Sequence, residues 1–138
     1  RFLSLFQWPL FPHRRMEPTP SNAVLSPLPA GAGGEEIRNV VENVWLPEID
    51  KFQPDLMILS AGFDAHCEER IAQLKAGEMD YACVTRLLVE ASFAYCEGRL
   101  VSVLEGGYEL RSLARSVFTH LQGLIRNPRP AETCKDPN

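Results

Sequence analysis

The sequence predicts an α/β domain in which helices flank a parallel sheet. Two observations carry that prediction. Short apolar runs alternate with longer stretches of helical periodicity, in the order strand, long loop, helix, strand, helix, strand, helix. The runs 55–61 and 100–104 are apolar almost throughout and stop at Gly62 and at Gly106-Gly107, as strands buried on both faces of a parallel sheet do.

Each element has its own signal. Phe2 to Phe6 is short, apolar and bounded by a proline, which fits a buried strand. Residues 9–34 hold Pro9, Pro12, Pro18, Pro20, Pro27 and Pro29, then Gly31, Gly33 and Gly34. So many fixed φ angles and missing donors exclude a long helix. Val24 to Leu28 predicts a short edge strand, where proline is tolerated, and the rest of 9–34 reads as a loop or arm. Glu35 and Glu36 open a helix at its positive end. Ile37, Val40, Val41, Val44, Trp45 and Ile49 form one stripe on it, and Pro47 is expected to kink or break it. A second helix runs from about Glu78 to Glu97, with Val84, Leu87, Leu88, Ala91 and Tyr95 inward and Gly98 as its stop. Leu110, Leu113, Ala114, Val117, Phe118, Leu121 and Leu124 line a last helix. The polar tail 127–138 is expected to fray.

With 138 residues and 45% apolar content, the chain reads as a single domain, 1–138, with a real core. A net charge of −4 and a pI near 5.4 leave no basic footprint for nucleic acid. No apolar run is long enough to span a bilayer. The apolar start is broken by Pro9 and Pro12 and followed by His13, Arg14 and Arg15, which disfavours a signal peptide. Cys67, Cys83, Cys96 and Cys134 are scattered, a usage expected of reduced thiols in the cytoplasm.

Ligands of open parallel sheets bind beyond the carboxyl ends of the strands. Two segments fall there, Ser60 to His66 and Glu105 to Tyr108. Asp64 is a hard oxygen donor, and Tyr108, delivered by a paired-glycine turn, can donate its phenol proton to a developing oxyanion. From spacing alone, Asp64 serves equally as a helix cap or turn residue, and Tyr108 equally as a packing anchor. His66 stands alone near these turns; His13 and His120 have no partner at ligand spacing.

Taken together the segments say more. Pro54-Asp55-Leu56, Ser60-Ala61-Gly62-Phe63-Asp64-Ala65-His66, Ala72-Gln73-Leu74, the run Arg99 to Tyr108 and Leu113-Ala114 resemble the histone deacetylase family. The similarity is nearest its class II-like bacterial branch, with the acetylpolyamine amidohydrolases and acetoin-utilisation proteins. It continues through Ser4-Leu5-Phe6-Gln7 and Pro29-Ala30-Gly31, so it covers nearly all of residues 1–126.

The resemblance implies the carboxyl-terminal half of an arginase-like, three-layer αβα fold. It also implies a zinc ion, held in the family by two aspartates and a histidine, that polarises the amide carbonyl of an acetylated lysine or polyamine. Asp64 matches the last zinc-binding aspartate and Tyr108 the tyrosine that hydrogen-bonds the substrate carbonyl. Gly106 and Gly107 match the loop lining the acyl pocket, beside Phe63. Ser4 and Leu5 resemble a segment that helps bind a structural potassium. His66 is common at its position but is no ligand there. The family's paired histidines and its Asp-x-His strand are absent, so two of three zinc ligands and the general base are missing. The chain is therefore expected to leave its zinc site empty or weakly filled and not to catalyse alone.

The missing strand belongs between the strand ending near Asp64 and the one starting near Phe2. Its absence is expected to leave two sticky apolar edges, which the chain either re-pairs within itself or buries against a second copy. A homo-oligomer is expected, a dimer for which the 9–34 arm is the segment available for exchange. The alternative is an active zinc-dependent deacetylase completed by upstream sequence or a partner chain. A nucleotide-binding α/β domain is disfavoured, because no glycine-rich phosphate loop is present.

Overall fold

Eight elements make the fold, in a computed structural model that describes residues 1–10 and 19–125. They are β1 (Phe2–Gln7), β2 (Ala23–Leu28), α1 (Gly34–Val40), α2 (Leu46–Phe52), β3 (Met57–Ala61), α3 (Glu78–Cys96), β4 (Leu100–Leu104) and α4 (Leu110–Ile125). The helical periodicity and the apolar runs thus mark the elements where expected. The basic triplet 13–15 and the tail 127–138 lie outside the described residues.

Both strand pairs are parallel: β1 with β2, Leu5 opposite Ser26, and β3 with β4, Ala61 opposite Leu104. Residues 23–28 of the expected arm are therefore hydrogen-bonded to β1, with Pro27 on an edge strand, where its missing N–H costs no ladder bond. No ladder joins β1 to β3 among the described residues.

Pro47 does not break the first helix. Residues 41–45 form one π turn between α1 and α2, and the chain stays helical from Gly34 to Phe52. A wider turn directly before proline accommodates both its lost N–H and the bulk of its ring. Glycine precedes both α1 and α3, and an acid three residues on closes each start: Glu36 Oε2 accepts the Gly33 amide, and Asp80 Oδ2 the Gly77 amide, both at 2.8 Å. Glu97 and Gly98, at φ 54° and 76°, end α3 in the left-handed region.

The helices and the strands' inner faces share two apolar clusters. Leu28, Ile37, Leu74 and Ala76 gather under β1 and β2. Val41, Ile49, Leu88 and Ala91 bridge to Leu3 of β1 and to Met57, Leu59 and Leu100 of the other pair.

Two expectations fail, one on burial and one on cysteine chemistry. The β3–β4 pair is covered on one face only: Ile58 is 68% exposed, and its same-face neighbours Val101 and Val103 are also open. An apolar run reports that a strand can be buried on both faces, not that the covering layer is present. Cys83, expected as a reduced thiol, is disulfide-bonded, while Cys67 and Cys96 are free. Sequence spacing does not reveal which cysteines the fold brings within bonding distance.

The last helix, α4, turns a different side inward than its apolar stripe. Ser112, Ser116 and His120 are buried, whereas Leu110, Phe118, Leu121 and Ile125 are exposed. Small groups allow α4 to lie close to α3, so close that a Cβ on Gly123 would come within 2.8 Å of Thr85.

Candidate active site

Pairing β3 with β4 sets their carboxyl-terminal turns side by side. Beyond the last ladder pair, the Glu105 amide donates to the Ala61 carbonyl (3.1 Å) and the Phe63 amide to the Gly106 carbonyl (2.8 Å). Asp64 and the Gly106-Gly107 turn are thereby brought together, as their positions after neighbouring parallel strands require.

Glycine is needed at this junction. A Cβ on Gly106 would sit 2.7 Å from Asp64 Oδ2, and one on Gly107, at φ 128°, would sit 2.7 Å from Leu113 Cδ1. Phe63 is buried beneath the junction, its ring 5.1 Å from that of Tyr81 and 5.6 Å from that of His120. The half-buried Asp64 carboxyl is raised above its ordinary pKa, chiefly by burial and further by the charge of Glu69, against the lowering effect of its own amide. Burial and the Asp64 and Glu69 charges also keep the Tyr81 phenol protonated.

Tyr108 follows the glycine turn with its side chain largely open to solvent. The residue is 63% exposed, while its amide and that of Glu109 are both held by Glu69 Oε1. Ser4 and Leu5 lie on β1, paired with Leu25 and Ser26.

Asp64 lines a cavity of about 310 Å³. Leu5 to Gln7 of β1 and Leu59 to Ala61 of β3 line it together with Ile37, Val41, Trp45, Tyr81 and Val84. The carboxyl-terminal ends of β1 and β3 thus meet the same cavity, and the facing edges are those that carry no ladder to each other. Trp45 Nε1 and the Tyr81 hydroxyl are buried without a hydrogen-bond partner among the described residues. Unmet donors of this kind cost free energy unless a further group supplies acceptors.

Sequence reading missed two polar residues here. His120 is buried, with Nδ1 2.7 Å from Thr85 Oγ1 and Nε2 2.8 Å from Ser102 Oγ. The Thr85 hydroxyl donates to the Tyr81 carbonyl (2.6 Å), so it accepts the proton of His120 Nδ1, leaving Nε2 to accept from Ser102. The ring ties α3, β4 and α4 together, and burial lowers its pKa. Glu69 is the other, since its partners lie 39 and 40 residues away.

One group of metal-ligand types occurs elsewhere among the described residues: His66, Glu68 and Glu78. Its geometry belongs to an ion-pair network. Arg115 reaches both Glu78 and Glu68, and holds the Glu78 carboxyl down at about 2, with help from the Glu78 backbone. His66, 1% exposed, accepts the Glu68 amide at Nδ1 (3.1 Å), so a neutral ring carries its proton on Nε2 and has no lone pair there for a metal.

Around Asp64 the fit to zinc is incomplete. A catalytic zinc takes three protein ligands. Among the described residues, no group of three potential metal ligands includes Asp64, and Glu69 is engaged with two amides. These residues alone do not make a zinc site.

Comparison with known proteins agrees with the architecture. The histone deacetylase domain family matches residues 1–124, and the chain belongs to that family. Type-2 histone deacetylase 2 of Dictyostelium discoideum is 42% identical over 88 residues, 62% of this chain and 5% of that protein. The chloroplastic histone deacetylase 14 of Arabidopsis thaliana is 36% identical over 99 residues, 72% of this chain and 23% of that protein. The crystal structure of the HDA15 HD domain superposes with a TM-score of 0.79 at 28% identity, covering 89% of this chain and 36% of that one. The fold is thus of the arginase/deacetylase α/β kind, and the chain spans less than half of each of these relatives. Other relatives come from an archaeon, a cyanobacterium and mammals, so the similarity is not confined to a bacterial branch. No helix among the described residues is long and apolar enough to cross a membrane.

Proposed function

We propose that this chain is the carboxyl-terminal portion of a zinc-dependent deacetylase centre, completed by a polypeptide that inserts a strand between β1 and β3. The observation that carries the reading is Asp64, half-buried with a raised pKa, lining a cavity that β1 and β3 share without a ladder between them among the described residues. In the completed centre Asp64 supplies one zinc ligand, and the added polypeptide supplies the other two and the general base. Bound zinc would polarise the carbonyl of an acetylated lysine or polyamine. Tyr108 would donate its phenol proton to that carbonyl, with Gly106, Gly107 and Phe63 lining the acyl pocket. Ser4 and Leu5 would contribute to a potassium site on β1. Alone, the chain holds zinc weakly and does not turn over.

The uncovered surfaces support the same reading. Ile58, Val101 and Val103 on the sheet and Phe118 and Leu121 on α4 are apolar and open, faces that a larger domain would cover. Without the completing polypeptide, the chain buries them against a second copy as a dimer, and light scattering at several concentrations would return twice the chain mass.

The test is co-expression with the part of a relative's deacetylase domain that this chain lacks. A one-to-one complex, stoichiometric zinc and turnover of a fluorogenic acetyl-lysine peptide are expected, with Tyr108→Phe reducing turnover about 100-fold or more. Stoichiometric zinc and turnover by the chain alone would overturn the reading.

A further inference from the structure

Glu69 lies between the short motifs Ser60 to His66 and Ala72 to Leu74, yet it spans the two turns of the candidate site. One carboxylate oxygen accepts the Tyr108 amide (2.6 Å) and the Glu109 amide (2.8 Å). Its own amide donates to the His66 carbonyl (2.9 Å), which anchors it in the turn that follows Asp64. The ladder-like bonds between the two turns end at Gly106, and Gly107 has a φ of 128° that few residues share. From Gly107 to the start of α4, the Glu69 carboxylate is therefore the tie that sets where Tyr108 leaves the backbone. Capping of α4 is a separate matter: Glu109 Oε2 already accepts the Ser112 amide at 2.7 Å.

We propose that Glu69 is a positioning residue that fixes the Tyr108 turn against the Asp64 turn, and so aims the tyrosine at the reacting carbonyl. The second half rests on the proposed deacetylase function. The first stands on the two hydrogen bonds, which are charge-assisted and so stronger than neutral ones.

The experiment has two arms. In the 138-residue chain, amide hydrogen exchange at Tyr108 and Glu109 is followed by NMR. Glu69→Ala is expected to speed both by about tenfold or more, leaving Ser112 and the β3–β4 ladder amides unchanged. Glu69→Gln, which keeps an acceptor oxygen, is expected to stay within about twofold of the parent. Unchanged exchange in Glu69→Ala, or a loss of protection spread over the whole chain, overturns the clamp. In the completed complex, Glu69→Ala is expected to lower kcat about 10- to 100-fold at constant KM, with Glu69→Gln restoring it. The double variant Glu69→Ala/Tyr108→Phe is expected to be no slower than Tyr108→Phe alone. Additive losses would overturn a role exerted through Tyr108. A complex that never turns over would refute the deacetylase reading while leaving the exchange arm to decide the clamp.

Discussion

The Asp64 carboxylate packs directly on the backbone of Gly106, leaving no room for a Cβ on that glycine: its nearest contact would be 2.7 Å from Oδ2. The Phe63–Gly106 hydrogen bond of 2.8 Å locks this approach. Gly106→Ala must therefore displace either the carboxylate or the turn. A loss of about 1–3 kcal/mol in urea unfolding is expected, the usual cost of overpacking, against little change for Gly77→Ser, at the extended residue before α3, where a Cβ would meet nothing closer than 3.8 Å.

Asp64 itself is kept at a cost. Its pKa is raised by burial, so the ionised carboxylate is less favourable in the native chain than in the unfolded one and opposes folding. Stability contributed here therefore increases as pH falls through the native pKa. Asp64→Asn is expected to stabilise the metal-free chain by about 0.5–1 kcal/mol and, on the proposed function, to remove any stabilisation by added zinc. Thermal melts with and without zinc check both, and a destabilised variant would refute the sign.

His120 carries the opposite dependence on pH. Burial holds its pKa below the ordinary 6.5, so between those two values the unfolded chain binds a proton that the native chain does not. Its contribution is complete above about 6.5 and is lost as pH falls below it. Urea midpoints measured from pH 7 to 5 are expected to decline, and His120→Gln is expected to flatten that part of the curve.

Lower in the acid range the Glu78–Arg115 pair takes over. With the Glu78 pKa held at about 2 against an ordinary 4.5, its stabilisation is present above 4.5 and disappears as pH falls toward 2. Arg115→Met is expected to move the midpoint of acid unfolding, followed by circular dichroism, to higher pH. The same shift in Arg99→Met, whose partner Glu97 is 83% exposed, would show that the effect is one of net charge alone.

Local pattern was enough to find the strands, the helices and the two turns that matter. The runs 55–61 and 100–104, each ending at glycine, announced β3 and β4, and with them the adjacency of Asp64 and Gly106. Burial was less legible. The apolar run through Ile58 is compatible with two covering layers, and only packing revealed that one is missing here. On α4 the inward side consists of Ser112, Ser116 and His120, because close helix contact favours small or hydrogen-bonded groups over the apolar stripe that periodicity detects.

By itself, then, the sequence determined the α/β alternation, the family and the positions of Asp64, Gly106, Gly107 and Tyr108 at strand ends. These follow from local propensity and short motifs. Only the tertiary structure decided that Trp45 and Tyr81 leave donors unmet beside the cavity that β1 and β3 share, and that Glu69 holds Tyr108. Contacts such as Glu69 to Tyr108 join residues 39 apart, and hydrogen bonds over that separation are set by how the elements pack, which no local pattern encodes.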